Sequence, residues 1–239
     1  MIALITGGAN GIGAAVARRL AADGAKIVLA DVDDAAGQEL AAGIGALYVR
    51  CDVSALADNE AAVAAALSAY GGLDLAFLNA GVTSGCGLGE DFDLARYRRA
   101  MGVNLDGVVF GVHAALPALT ASGGTIVATA SMAGIVGVEA DPIYAANKHA
   151  VVGLVRSLAG QLAPAGVRVQ ALCPSFADTA ILGEFRDLLA ELDFPILPVS
   201  DVVETFLRAL ESDGTGECWF VVPGRESAPF QFRGVPGPR

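Results

Sequence analysis

Basic residues are scarce in this sequence, which has 15 Lys and Arg against 26 Asp and Glu and a formal net charge of −11. A protein that binds nucleic acid or an anionic membrane surface neutralises phosphates with a basic patch. Because the chain offers so few positive charges, we expect neither nucleic acid nor a membrane among its partners.

Histidine and cysteine are also rare, with two His and four Cys in 239 residues. Cys51, Cys86, Cys173 and Cys218 lie far apart and form no Cys-x-x-Cys pair. We therefore expect no bound metal and no disulfide framework, because these need clustered ligands or paired cysteines. Such isolated thiols are typical of small buried residues in a reducing compartment.

Membrane and export signals are missing as well. Met1 opens directly onto a short apolar strand, so we expect no signal peptide. The stretch between Asp106 and Glu139 carries no charge, but Pro117 and Gly123-Gly124 break it. We expect its pieces to be too short to span a bilayer, which predicts a soluble, cytoplasmic protein.

Apolar strands alternating with helices run through most of the chain, and 54% of its residues are hydrophobic. Short apolar runs predict strands at residues 2–6, 26–30, 46–51, 73–79, 125–130, 167–173 and 217–222. This order is typical of a single α/β domain with a doubly wound parallel sheet of about seven strands and helices on both faces. We expect the domain to span residues 1–223 and residues 224–239 to form a loop-like tail.

Two predicted helices, at about residues 103–119 and 143–162, are apolar over more than one face. Covering the sheet uses one face of each helix, and the simplest use of the other face is a symmetric contact between subunits. We therefore expect a homo-oligomer.

A Ser, a Tyr and a Lys are spaced as in a proton-transfer site. Ser131 follows a β-branched run, so it is expected where a buried strand ends. Tyr144 and Lys148 lie four residues apart on a helix that Pro142 can open, so their side chains share one face. An ammonium group beside a phenol favours the phenolate and lowers its pKa toward the range of a general acid or base. The trio predicts proton transfer to or from an alcohol or ketone, with Ser131 bonded to the same substrate oxygen.

A glycine cluster, TGGANGIG from Thr6 to Gly13, lies between the first predicted strand and the first predicted helix. Glycines at such a turn let the backbone approach a pyrophosphate, which rests on the N-terminus of the helix. Asp31 ends the second strand, where a carboxylate binds the adenosine ribose and repels a 2′-phosphate. The pattern predicts NAD as the cofactor, bound through Gly7, Asn10, Gly11, Ile12, Gly13 and Asp31.

Two further strands end in residues suited to the same ligand, Asp52-Val53 and Asn79-Ala80-Gly81. The carboxyl ends of parallel strands meet at one edge of the sheet, so these residues are expected to contact the adenine and the nicotinamide ribose. Ordinary turns use the same residue types, and that interpretation remains open at this point.

Taken together, these motifs, with Asn104, resemble the classical short-chain dehydrogenase/reductases, in order and at that family's spacing from residue 1 to residue 182. The resemblance implies a Rossmann-like fold, with Tyr144 as general acid/base and Lys148 holding the nicotinamide ribose and lowering the pKa of Tyr144. It also implies that Ser131 positions the substrate oxygen and that Asn104 anchors a water in a proton relay. Further cofactor contacts that it implies are Val32, Pro174, Phe176 and Thr179.

Within that family, the stretches at 143–159 and 166–182 are most similar to the NAD-dependent hydroxyprostaglandin dehydrogenase type. This similarity implies oxidation of a secondary alcohol on a partly apolar substrate. The chain departs from the family at Ser175, where Gly is usual, so the backbone there is expected to differ. It also lacks the Asp-Gly-Gly ending of tetrameric members, which favours a homodimer and leaves a tetramer possible.

Residues expected on the substrate side follow Ser131 or lie in the segment 176–198, and they are Ala133, Asp141, Ser175, Leu182 and Phe185. The apolar residues of that segment suit either a mobile lid or core packing. Asp141 suits a bond to a substrate hydroxyl or, alternatively, the opening of the helix that carries Tyr144.

Three functions remain open from the sequence. The first is an NAD-dependent oxidoreductase that interconverts a secondary alcohol and a ketone. The second is an NAD(P)H-dependent ketoreductase such as a 3-oxoacyl reductase, against which Asp31 counts. The third is a non-catalytic dinucleotide sensor, which would not need Asn104, Ser131, Tyr144 and Lys148 together.

Overall fold

The computed structural model describes residues 1–183 and 185–233 of the protein. Its strands are Ile2–Thr6 (β1), Lys26–Asp31 (β2), Leu47–Arg50 (β3), Leu75–Leu78 (β4), Thr125–Thr129 (β5), Arg168–Pro174 (β6), Glu217–Val222 (β7) and Arg225–Pro229 (β8). They form one sheet in the order β3-β2-β1-β4-β5-β6-β7-β8. All neighbouring strands are parallel except β7 and β8, which are antiparallel. The strand order reverses between β1 and β4, and this confirms the predicted doubly wound α/β fold.

Helices connect the parallel strands and cover both faces of the sheet. Their bounds are Gly11–Ala22 (α1), Asp34–Ile44 (α2), Leu56–Tyr70 (α3), Leu94–Met101 (α4), Gly107–Ser122 (α5), Pro142–Leu162 (α6), Phe185–Glu191 (α7) and Val199–Glu211 (α8). The hydrophobic core has two parts, one under α3, α5 and α6 and the other under α1, α2 and α8. All four cysteines are buried, as predicted.

Local sequence explains where several helices begin and end. Asp33, Asp93 and Asp141 are the N-cap residues of α2, α4 and α6, and each carboxylate accepts a backbone N–H from the first turn of its helix. Pro142 occupies the first turn of α6, where its fixed φ suits the helix and its missing N–H is not needed. These caps place α6, and with it Tyr144 and Lys148, directly after the turn that follows β5.

The C-terminal segment differs from its prediction. Residues 224–239 were expected to form a loop-like tail, but Arg225–Pro229 form β8 and extend the sheet beyond residue 223. Pro223 and Gly224, the latter at φ +70°, make a two-residue turn that reverses the chain onto β7. Residues 234–239 of the predicted tail lie outside the described residues.

Helices α4 and α5 join into one continuous helix from Leu94 to Ser122. By length and composition its 29 residues could cross a membrane. The part of this helix that lies in the uncharged stretch, Gly107–Ser122, has 16 residues. The join is a π-helical turn at Gly102–Asp106, and such turns occur often at functional sites. The buried side of α5 packs on α3 and β4 as part of the core.

Candidate active site

The strand-end residues predicted to bind a dinucleotide meet at the carboxyl edge of the sheet. Gly7 has φ +59°, and a Cβ built on it would lie 2.8 Å from Ala80 Cα, so the glycine turn after β1 packs against the turn after β4. Asn79 braces this contact, because its Nδ2 donates to the carbonyl oxygens of Thr6 and Gly7, both at 3.2 Å. A Cβ on Gly13 would lie 2.1 Å from the Gly7 oxygen, so α1 can start this close to β1 only with glycine there.

Asp31 stabilises the glycine turn directly. Its Oδ2 accepts a hydrogen bond from Ala9 N at 2.9 Å, and its Oδ1 accepts one from Asp33 N at 3.1 Å. Each carboxylate oxygen has a further lone pair, so both remain able to bind ribose hydroxyls. Val32, the next residue, is 52% exposed. Asp31 is therefore suited both to hold the loop and to contact a ligand.

Sequence analysis missed a cation close to this carboxylate. Arg50 is the register partner of Asp31 on the neighbouring parallel strand, so their side chains leave the same face of the sheet. Arg50 Nη1 donates to Val32 O and to Asp34 Oδ2, both at 2.8 Å. Its position follows from strand register, which the local sequence around Asp31 does not contain.

The other predicted adenine contacts lie in the turn after β3. Asp52 Oδ1 accepts hydrogen bonds from Ser54 N at 3.0 Å and from Ser54 Oγ at 2.7 Å. Val53 is buried, with its carbonyl oxygen accepting a bond from Asn59 Nδ2 at 2.9 Å. Both residues thus have structural roles in the turn.

Ser131, Tyr144 and Lys148 come together after β5, the neighbour of β4, at the same edge of the sheet. Lys148 Nζ lies 5.6 Å from the centroid of the Tyr144 ring and donates to Thr129 O at 2.7 Å. Ser131 Oγ donates to Pro174 O at 3.3 Å and accepts a bond from Ala133 N at 3.1 Å. The Ser131 hydroxyl also lies close enough to the phenol to lower its pKa.

The protonation states of the pair differ from the sequence expectation. Burial raises the pKa of Tyr144 to about 12, against the lowering effect of the Ser131 hydroxyl, and the charge of Asp141 raises it further. Burial also lowers the pKa of Lys148 to about 8. The predicted lowering of the phenol pKa by Lys148 does not hold for the protein alone, because burial is the largest influence on both groups, raising the pKa of Tyr144 and lowering that of Lys148.

Asn104 lies in the π-helical turn and is fully buried. Its Oδ1 accepts a bond from Val82 N at 2.8 Å, and its Nδ2 donates to Val82 O at 2.9 Å. A Cβ on Gly81 would lie 3.4 Å from Asn104 Oδ1 and 3.5 Å from Lys148 Nζ, so Gly81 separates these two groups. Asn104 thus holds the loop after β4 beside Lys148.

A second residue missed by sequence analysis, Asn147, supports Asn104. Its Oδ1 accepts a bond from Asn104 Nδ2 at 3.2 Å, and the whole residue is buried. Asn147 also borders a cavity of about 270 Å³ between α4, the π-helical turn and α6, with the other lining residues Tyr97, Met101, Leu105, Ile143, Ala146 and Ala150. The sequence feature that could have indicated Asn147 is its position as a polar residue directly before Lys148.

Thr179 and Phe176 follow β6 on the side of the glycine turn. Thr179 Cγ2 lies 3.1 Å from where a Cβ on Gly11 would be, so the segment after β6 reaches the start of α1. Phe176 packs edge-on against Phe194, with 5.2 Å between ring centroids. The structure therefore brings Gly11 and Thr179, both predicted cofactor contacts, to one place.

Core packing, one of the two alternatives for the segment 176–198, is confirmed at the base of the segment. Its ends are tied together, because Leu197 N donates to Phe176 O at 2.8 Å and Asp178 N donates to Leu197 O at 2.9 Å. Leu182, Leu189 and Leu197 are buried, whereas Leu192 and Phe194 are exposed. The base of the segment is packed core and its outer part presents apolar side chains. The side chain of Phe185, a predicted substrate contact, lies outside the described part of the structure.

Ser175 takes the place of the usual Gly without backbone strain. Among the described residues, the non-glycine residue with a positive φ is Asp193, so Ser175 has an ordinary backbone conformation. Its N–H donates to Val221 O at 2.9 Å. Its buried hydroxyl has no hydrogen-bond partner within residues 1–183 and 185–233. An unsatisfied polar atom at this position is suited to a ligand.

We expect Ser175→Ala to raise the free energy of unfolding by about 1 kcal/mol, because it removes a buried hydroxyl that the described protein does not satisfy. Ser122→Ala is the matched control, since Ser122 Oγ donates to Leu73 O at 2.7 Å. In the same urea titration, the free energy of unfolding of that control is expected to fall by about 1 kcal/mol, because a satisfied buried hydrogen bond is lost. Equal losses in the two variants would contradict the interpretation of Ser175.

Fold and site together are those of a Rossmann-like α/β oxidoreductase, because the glycine turn and the Ser, Tyr and Lys side chains share one edge of a doubly wound sheet. Residues 1–189 match the family model described as short chain dehydrogenase. The chain belongs to this family.

Relatives and solved structures agree with this assignment. The chain is 41% identical over 195 residues to a 2,5-dichloro-2,5-cyclohexadiene-1,4-diol dehydrogenase of Sphingobium indicum, covering 80% of this chain and 78% of the relative. It is 36% identical over 192 residues to a cyclohexanol dehydrogenase of Acinetobacter sp., covering 78% and 76%. A solved 3-ketoacyl-(acyl-carrier-protein) reductase from Brucella melitensis, complexed with NADH, superposes with a TM-score of 0.85 at 34% identity, covering 94% of this chain and 97% of that one.

Proposed function

We propose that the protein is an NAD-dependent oxidoreductase that interconverts a secondary alcohol and a ketone in the cytoplasm, with Tyr144 as general acid/base. The observation that carries this proposal is the position of Tyr144. Its ring lies 5.6 Å from Lys148 Nζ, beside the Ser131 hydroxyl, at the sheet edge that also carries the glycine turn. Phenol, ammonium and hydroxyl groups at one place suit proton transfer at a substrate oxygen.

The residues present fit a dinucleotide. A Cβ on Gly7 would clash with Ala80 and one on Gly13 with the Gly7 carbonyl oxygen, so only glycine keeps this turn tight enough for a pyrophosphate at the start of α1, where Thr179 lies beside Gly11. The residues that would hold the cofactor are Gly7, Asn10, Gly11, Ile12, Gly13, Asp31, Val32, Asp52, Val53, Asn79, Ala80, Gly81, Tyr144, Lys148, Pro174, Phe176 and Thr179. A nicotinamide dinucleotide accepts hydride in alcohol oxidation and donates it in ketone reduction.

The chain's own residues account for the proton. In oxidation, the phenolate of Tyr144 takes the proton of the substrate hydroxyl, and in reduction the neutral phenol donates a proton to the substrate oxygen. Ser131 turns its single O–H from Pro174 O to that oxygen and keeps it within reach of the phenol. Lys148 uses one N–H on Thr129 O, so its remaining N–H groups are available for a ribose and for the phenolate.

Three carboxylates support NAD over NADP. Asp31, Asp33 and Asp34 lie together where β2 meets α2, and their negative charge disfavours a 2′-phosphate. Arg50, the nearby cation, is already paired with Asp34. The similar reductase from Brucella melitensis was solved with NADH, which agrees with this choice.

Exposed apolar side chains near the site support a partly apolar substrate. Ile181, Leu192 and Phe194 are 37%, 67% and 45% exposed on the segment after β6, and Val136 is 49% exposed after Ser131. The similarity of residues 143–159 and 166–182 to the hydroxyprostaglandin dehydrogenase type supports the same substrate class and the oxidative direction.

We propose a homodimer through the outer faces of α4, α5 and α6, where residues such as Leu94 and Val109 are exposed.

The test of the proposed function is fluorescence titration of NADH and NADPH into the wild type, Asp31→Asn and Asp23→Asn. We expect the wild type to bind NADH about tenfold or more tightly than NADPH, and Asp31→Asn to lose this preference. Asp23 is exposed at the end of α1, paired with Arg19, so Asp23→Asn should retain it. Screening of secondary alcohols with NAD⁺ at alkaline pH then follows.

Tighter binding of NADPH would favour the second candidate, a ketoreductase. One observation supports that candidate: with the pKa of Tyr144 raised to about 12, the neutral phenol that donates a proton in reduction is the dominant form at neutral pH. Binding of neither dinucleotide would contradict both candidates.

A further inference from the structure

The sequence predicts Asp141 as a substrate contact or as the residue that opens a helix, and in the structure its side chain makes contacts beyond these two roles. Its side chain is buried, with the residue 8% exposed, so it does not lie at the mouth of the site. Its Oδ1 accepts a bond from Tyr144 N at 2.9 Å, which is the usual N-cap contact. A Ser, Thr or Asn would satisfy this contact without the cost of a buried charge.

The rest of the carboxylate binds the loop after β4. Asp141 Oδ2 accepts a bond from Ser84 N at 2.9 Å, and Oδ1 also accepts one from the Ser84 hydroxyl. Ser84 itself is 3% exposed, and its Oγ accepts a bond from Cys86 N at 3.1 Å. One buried carboxylate therefore connects the start of α6 to a loop 57 residues earlier in the chain.

The same loop is held two residues earlier by Asn104, through Val82 N and Val82 O. Between these anchors and β4 lies Gly81, which is close to Lys148 Nζ. The loop from Gly81 to Ser84 thus connects Asn104 and Lys148 at one end with the first turn of the helix carrying Tyr144 at the other. Removing either anchor would free the loop to move relative to the phenol.

We propose that Asp141 is a positioning residue for Tyr144, whose carboxylate fixes the first turn of α6 against the Gly81–Ser84 loop. The inference rests on the proposed function, since it needs Tyr144 to transfer the proton. It adds a side chain that acts on the reaction through another residue and that does not contact the substrate.

Because Asp141 is charged and lies near the phenol, neutralising it should change the pH dependence of the reaction, which the loss of a purely structural contact would not do. The groups that face the phenol are Ser131 at the end of β5, Cys173 on β6, Lys148 on α6 and Asp141 at its N-cap. The hydrogen bond with Cys218 and burial raise the pKa of Cys173, so this thiol stays neutral at working pH. Asp141 also raises the pKa of Tyr144, so neutralising Asp141 should let the phenol ionise at lower pH.

The experiment measures the pH dependence of alcohol oxidation by the wild type, Asp141→Asn and Ser84→Ala, with NADH affinity and melting temperature for each. In Asp141→Asn the amide nitrogen replaces the oxygen that faces Ser84 N, so two donors meet, the bond from Ser84 N is lost and only the bond from the Ser84 hydroxyl remains. We expect kcat to fall about tenfold, and the midpoint of the rise with pH to move down by about half a unit to one unit. Ser84→Ala weakens the same contact but keeps the charge, so its kcat should fall without a shift of the midpoint.

Coincident pH midpoints for the wild type and Asp141→Asn would overturn the inference, as would an unchanged kcat in both variants. If Asp141→Asn does not fold, Asp141→Ser keeps an N-cap without the charge, and the same shift is expected of it. A wild type that oxidises no secondary alcohol and reduces no ketone overturns the proposed function. An active wild type whose variants change only in melting temperature overturns the positioning role alone.

Discussion

Tyr144→Phe is expected to lower kcat about 10³-fold while leaving the fold and the affinity for NADH nearly unchanged. The substitution removes only the phenolic oxygen, and a positioned general acid or base contributes about 10² to 10⁴ in rate. The ring keeps its place over Lys148, with the centroid 5.6 Å from Nζ. Steady-state kinetics with a secondary alcohol and NAD⁺, together with NADH titration, measure the two effects separately.

Tyr70→Phe is the control for the loss of a phenol. Tyr70 ends α3, and its hydroxyl lies 3.5 Å from Ile27 O, away from the carboxyl edge of the sheet. Its activity should equal that of the wild type. Retention of more than about a tenth of the activity by Tyr144→Phe would mean that another group transfers the proton.

Lys148→Met is expected to lose activity and to gain stability at pH 7. Burial lowers the pKa of this ammonium from its ordinary 10.5 to about 8, so the unfolded chain binds its proton more tightly than the folded protein does. Below about pH 8 this costs the folded protein about 3 kcal/mol, and the cost disappears as the pH rises to about 10.5. Since the bond to Thr129 O is also lost, we expect a net gain of about 2 kcal/mol at pH 7.

Urea titrations of the wild type and Lys148→Met from pH 7 to pH 10.5 test the sign of this effect. The stability advantage of the variant should shrink between pH 8 and pH 10.5. Lys26→Met provides the matched control, because Lys26 is the other lysine of the chain and is exposed. An advantage of Lys148→Met that is the same at every pH, or that Lys26→Met shares, would contradict the account.

The parallel part of the fold could be predicted because each strand is a mostly apolar run between turn residues. β8 could not, because its sequence RESAP has no apolar periodicity and includes a Pro. It becomes a strand through its partner, since Pro223 and Gly224 turn the chain back onto β7 and Phe230 N donates to Cys218 O at 2.7 Å. Tertiary pairing, and not local propensity, determines this element.

The proposed active-site residues were predictable to the extent that they follow strand ends or lie one helical turn apart. Strand register and loops distant in sequence determine the positions of Arg50 and Asn147 and the contact between Ser84 and Asp141. No local sequence pattern therefore predicts them. The predicted direction of the shift in the Tyr144 pKa differs from that in the structure for a related reason. The spacing of Tyr144 and Lys148 can be read from the sequence, but the burial that raises the pKa of Tyr144 and lowers that of Lys148 belongs to the folded protein.

The brace between Asn79 and the glycine turn has a consequence for how fast the protein folds. Asn79 N donates to Thr6 Oγ1 at 2.9 Å across 73 residues, and β1 reaches its partner β4 only after three complete helical crossovers. Contacts of such large sequence separation carry a high loop-closure entropy and slow the search for the native state. The turn after β1 is synthesised well before β4, yet it cannot acquire its final shape until β4 has been synthesised and docked.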